Sequence, residues 1–151
     1  MIAASAGPAA GEQFAGLYAG RLYSLLSWQD LEAFWQRINP ADGWYLYAVG
    51  EPPPTVSESA IETAEFLRRI DELLRRDHQE AYCGIVYADD IERPCFIKIY
   101  DPNNLGSSCG SSKHPPLPGW IMSRVPPVDV APGRPAPEGR RRWWRSLFSR
   151  S

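Results

Sequence analysis

The sequence predicts an α+β fold, and three observations carry the prediction. Residues 59–76 spell one long amphipathic helix, with apolar positions at helical spacing and charges on the other face. Short apolar runs at 44–49, 81–87, 95–100 and 119–125 have the length of strands. Breaks rich in Pro, Gly, Asn and Asp separate them. Together they describe a single domain: a three- or four-stranded, mainly antiparallel sheet packed against one long helix and N-terminal helices.

A chain of 151 residues is enough for one hydrophobic core. Its 15 prolines are roughly double the usual ~5% share and fall in clusters, so the folded part is shorter than the chain. The expected division is a disordered N-terminus at 1–11, an α+β domain at 12–127, a proline-rich linker at 128–139 and a disordered, basic aromatic tail at 140–151. Before residue 132 stand ten basic and seventeen acidic residues, a balance of −7, whereas six arginines and one acid follow, +5. The acidic body argues against a nucleic-acid partner.

Three cysteines without a CxxC pair argue against a secreted disulfide scaffold. The first residues carry no basic segment followed by an apolar core, and no apolar run approaches the ~20 residues that span a bilayer. The expected setting is the cytoplasm, with the tail able to place the protein at the inner face of the membrane.

Taken in order, residues 12–26 show helical spacing at Phe14, Leu17, Tyr18, Leu22, Leu25 and Leu26, weakened by Gly16 and Gly20. A weak helix on the sheet is favoured over a close glycine-mediated helix contact. Ser27 and Asp30 then cap a short helix with the stripe Leu31, Phe34, Trp35, Ile38. The run at 44–49 is apolar on both alternating sets, which suits a central strand covered on both faces. Ser59 with Glu62 opens the long helix, whose expected buried stripe is Ile61, Phe66, Leu67, Ile70, Leu73 and Leu74. Its acids lean to the start and its arginines to the end, as the helix dipole prefers. His78 follows as a dipole partner. The runs at 81–87 and 95–100 form an antiparallel hairpin. Alternation puts Cys95, Ile97 and Ile99 on the core side, and Lys98 outward between Phe96 and Tyr100. Residues 119–125 supply the fourth strand.

Residues 101–118 make a loop of unusual length for a compact domain, and such loops are commonly functional. Asn103 and Asn104 belong to its opening turn, Ser107, Ser108 and Cys109 to a small-residue centre, and Lys113 and His114 to its exit. Its glycines do not match the phosphate loop GxxxxGK[ST], because Lys113 follows Gly110 by three and prolines replace the helix beyond. A surface for a protein partner leads, with Lys98 and Lys113 as a small anion site near Tyr100. The alternative is a thiol enzyme or redox protein centred on Cys109, its pKa lowered by Lys113 or His114. No zinc-ligand spacing is present, so neither a metal nor a cofactor is expected.

In the tail, Trp143, Trp144, Leu147 and Phe148 share one broad helical face with Arg142 and Arg145 opposite, and Arg141 adds to the basic charge of the anchor. That pattern suits docking to an anionic membrane surface or a larger complex. Competing readings are an RNA-binding stretch and an arm folded onto the acidic body of the protein itself. The function expected from the whole is a non-enzymatic adaptor that presents the 101–118 loop while the tail anchors it.

Overall fold

The structure, a computed structural model, describes residues 6–105 and 116–147. In chain order it holds α1 (Ala6–Ala19), β1 (Tyr23–Ser24), α2 (Trp28–Arg37), β2 (Tyr45–Ala48), α3 (Ala60–Asp77), β3 (Val86–Ala88), β4 (Phe96–Ile99), β5 (Trp120–Ser123) and α4 (Glu138–Leu147). The strands form one antiparallel sheet in the order β1-β3-β4-β5-β2. The fold is thus α+β, but the sheet has five strands instead of three or four. The addition is β1, expected within the first helix. α1 stops at Gly20, whose amide donates to the carbonyl of Leu17, and the freed chain pairs Tyr23 with Ala88.

The sheet is covered on both faces. One face carries Leu46, Ala48, Val86, Ala88, Ile97, Ile99, Trp120 and Met122, buried against residues of α2, α3 and α4. The other carries Tyr47, Phe96 and Ile121, buried with Phe14 of α1 and with Ala131. This two-sided burial explains why the β2 segment is apolar on both sets even though β2 is an edge strand, not the central one expected. A strand's alternation reports what lies above and below it, not who its neighbours are.

Caps and stripes set the helices. The Ser27 hydroxyl accepts from the Asp30 amide at the start of α2, and the Ser59 hydroxyl from the Glu62 amide at the start of α3. Each such cap satisfies an otherwise orphaned donor and contributes about 1 kcal/mol. Along α3 the buried stripe is Thr63, Phe66, Leu67, Ile70, Leu73 and Leu74. Ile61, expected in it, is 82% exposed. It lies two residues from Thr63, about 200° of helical rotation, and so faces water. The α3 ion pairs Glu65–Arg68, Arg68–Glu72 and Asp71–Arg75 are solvent-facing, and such pairs contribute little each.

The C-terminal segment departs furthest from expectation. After β5 the chain crosses the second face, where the Val130 amide donates to the Tyr47 hydroxyl. It turns at Gly133 (φ +73°) and passes Gly50 so closely that a Cβ there would lie 2.5 Å from the Ala136 nitrogen. Gly50 also holds φ at +103°, so glycine is required twice over. The chain then forms α4 on the first face. Trp143 meets Trp120 edge-on at 5.4 Å, Trp144 meets Phe66 at 6.0 Å, and Leu147 is buried. In place of a disordered tail there is a helix folded onto the body, because its apolar face finds core surface there. Among the described residues no helix is long and apolar enough to cross a membrane.

Candidate functional site

The 101–118 loop leaves the sheet after β4 and returns at β5, and both of its feet are pinned. At the first, Asp101 Oδ1 accepts from the Asn103 amide at 2.9 Å, and the Asp101 carbonyl accepts from the Asn104 amide. Arg140 of α4 grips the same carboxylate with two bonds of 2.9 Å, Nε to Oδ2 and Nη2 to Oδ1. Nη2 also donates to Asp77 Oδ2 at 2.8 Å, at the end of α3. The side chains of Asp101, Arg140 and Asp77 are only 5%, 14% and 17% exposed. Burial opposes the charge on Arg140, but the two carboxylates more than offset it and its pKa is raised. Asp77 is held down to about 2, by Arg76 first and Arg140 after it, against the opposing effect of burial. At the second foot the Gly119 amide donates to the Ile99 carbonyl, and the Gly119 carbonyl accepts from Val49. A Cβ on Gly119 would stand 3.2 Å from that of Asp101, so the two feet touch. A cavity of about 190 Å³ lies against them, lined among others by Asn104, Leu117 and Arg134.

Lys98 is the second feature. Sitting on β4 opposite Tyr87 of β3, it is half-buried, with its ammonium 3.9 Å from the centre of the Tyr18 ring. Burial alone pushes its pKa down, and no carboxylate among the described residues pairs with it. Tyr87 and Tyr100 meet edge-on at 5.7 Å. The Tyr100 phenol is pushed up by burial, then by Tyr18 and Tyr87, which places the three phenols within electrostatic reach of one another. Beside them is a cavity of about 300 Å³ lined by Gly84, Ile85, Tyr87, Tyr100, Leu105 and Pro116. Leu105 is 41% exposed. A cation over a tyrosine face gains about 0.5–2 kcal/mol, less than a buried carboxylate would give.

Of the expected site residues, Asn103 and Asn104 stand exposed at the first foot. Lys98 was expected outward between Phe96 and Tyr100. Instead Phe96 is fully buried and the ring over the lysine is Tyr18, supplied by α1. Cys95, expected in the core, is half-buried, since β4 begins one residue later and buries Phe96 on the other face. Ser107, Ser108, Cys109, Lys113, His114 and Phe148 lie outside the described residues. In α4, Arg141 pairs with Glu51 and Glu138, and Arg142 with Glu138. Arg145 is exposed, and Trp143, Trp144 and Leu147 pack inward.

Sequence reasoning missed Asp77, Arg140, Tyr18 and Tyr87. Asp101 reads locally as a turn residue and Arg140 as one of three successive arginines, so neither announces a partner. His78 caps α3 and is buried, its Nε2 bonded to the Cys83 carbonyl at 2.9 Å. The buried Cys83 thiol is pushed up by desolvation. Among the described residues no cluster of three or more His, Cys, Asp or Glu has the arrangement to hold a metal ion. No protein-family model matches the chain, and neither does any curated protein or solved structure.

Proposed function

We propose that the protein is a non-enzymatic adaptor that presents the 101–118 loop to a protein partner. The observation that supports this is the pinning of the loop's feet. A buried carboxylate, a bidentate arginine and a glycine contact are spent on fixing the points where one polar segment leaves and re-enters the sheet. Fixed ends reduce the conformational freedom that a loop gives up when a partner orders it, and so favour binding. Asn103, Asn104 and Leu105 face solvent at the first foot, where a partner can reach them.

The test replaces residues 103–114 with a Gly/Ser segment of equal length, keeping Asp101 and Gly119. The variant is expected to melt within a few degrees of the parent, because the core, the Asp101–Arg140 ion pair and the Gly119 contacts are untouched and the bonds at 103 and 104 come from backbone amides. It should lose a partner that the parent retains, first in affinity capture and then in pairwise binding with that partner purified. Unchanged affinity after the exchange would sink the proposal. So would a Cys109 that alkylates far faster than a thiol in a free peptide and whose serine variant alone abolishes function.

A further inference from the structure

We infer that Lys98 and the adjoining Tyr87–Tyr100 cavity are the recognition site for an acidic segment of the partner, one in which a carboxylate neighbours a bulky apolar side chain. This rests on the adaptor reading and names the chemistry of what it binds.

Three observations converge on it. Lys98 is a half-buried cation whose companion is the face of the Tyr18 ring, so its charge is desolvated with no compensating anion among the described residues. An incoming carboxylate would meet that charge in a partly dry setting, where charge-assisted hydrogen bonds are strong. Directly across the strand pair stands Tyr87, and the ring it meets edge-on, Tyr100, forms a second wall of the cavity. Cross-strand partners share a sheet face, so the cation and the cavity are neighbours. Finally, the cavity has aromatic and aliphatic walls and about 300 Å³ of space, enough for one large side chain. It opens beside Leu105 and Pro116, which both belong to the loop assigned to display. A carboxylate on the lysine and an apolar group between the tyrosines satisfy both features with one short segment.

The test uses the full chain and N-acetylphenylalanine, the smallest probe that joins a carboxylate to an aromatic side chain. N-acetylphenylalaninamide is its neutral counterpart, and acetate the anion without a ring. In two-dimensional amide NMR titrations the acid should saturably shift residues 84–87 and 98–100. The amide and acetate should each bind about tenfold more weakly or worse. Lys98→Met should abolish the preference for the acid over the amide while keeping a native spectrum, and Lys98→Arg should retain it. Equal binding of acid and amide, full binding by Lys98→Met, or shifts confined to other regions would each overturn the inference. A purified partner separates the two levels. Loss of binding on loop exchange with none on Lys98→Met refutes this site and leaves the adaptor standing, whereas indifference to both changes refutes the adaptor as well.

Discussion

Replacing Arg140 by alanine would strand Asp101, a carboxylate 5% exposed, with the Asn103 amide as its remaining donor among the described residues. Breaking such a buried pair from one side costs about 3–5 kcal/mol. Urea denaturation of Arg140→Ala is expected to show a loss of that size, and the double variant Asp101→Asn/Arg140→Met a smaller loss than the two single changes together. Asp77 gives this cluster a pH dependence. Its folded pKa, about 2, lies below the usual 3.8, so the stability it contributes is complete above the usual value and is lost as pH falls towards 2. Thermal melts between pH 5 and 2 should fall less steeply for Asp77→Asn than for the parent. Lys98 runs the other way. Its folded pKa is lowered from 10.5 by burial, so its proton destabilises the fold, and stability should rise as pH climbs towards 10.5. Lys98→Met should be at least as stable as the parent at pH 7 and lack that rise. At Gly16 an added Cβ meets nothing within 4 Å, so Gly16→Ala should stabilise α1 by about 1 kcal/mol, measurable by denaturant midpoint.

At the scale of elements, what the sequence made legible was whatever local chemistry writes. Ser27 and Ser59 cap their helices through hydroxyl-to-amide bonds that need only the next three residues. The stripe Phe66, Leu67, Ile70, Leu73 and Leu74 follows from helical pitch, and antiparallel pairing of β3 with β4 from the short link between them. Where element-level reasoning failed, the cause was contact at a distance. β1 is two residues long and exists because β3 offers it an edge. Cys95 was misplaced by one strand boundary and Ile61 by about half a turn of helical phase. The candidate site was half legible, in that alternation marked Lys98 as lying off the first core, whereas the ring above it comes from α1.

For the whole molecule, the consequential finding is that the C-terminal segment crosses from one sheet face to the other and closes with α4. A chain ending at residue 132 removes the Arg140 ion pairs, the Trp143–Trp120 and Trp144–Phe66 contacts, and buried Leu147 together. Losses of about 5 kcal/mol or more are expected from those terms, a large share of a small domain's total stability. The truncated protein should therefore melt well below the parent, or without a cooperative transition. A melt identical to the parent's would show that 133–151 behaves as an independent tail.

By itself the sequence determined the class of fold, the caps and the amphipathic faces, because each depends on residues a few positions apart. Only the tertiary structure decided where those faces would be spent. The Trp-rich face of α4 loses water equally well against lipid, another protein or its own core, and no local pattern distinguishes them. Which arginine meets Asp101, and which ring lies over Lys98, are settled when chains distant in sequence pack together and a buried charge takes the partner that packing brings within reach.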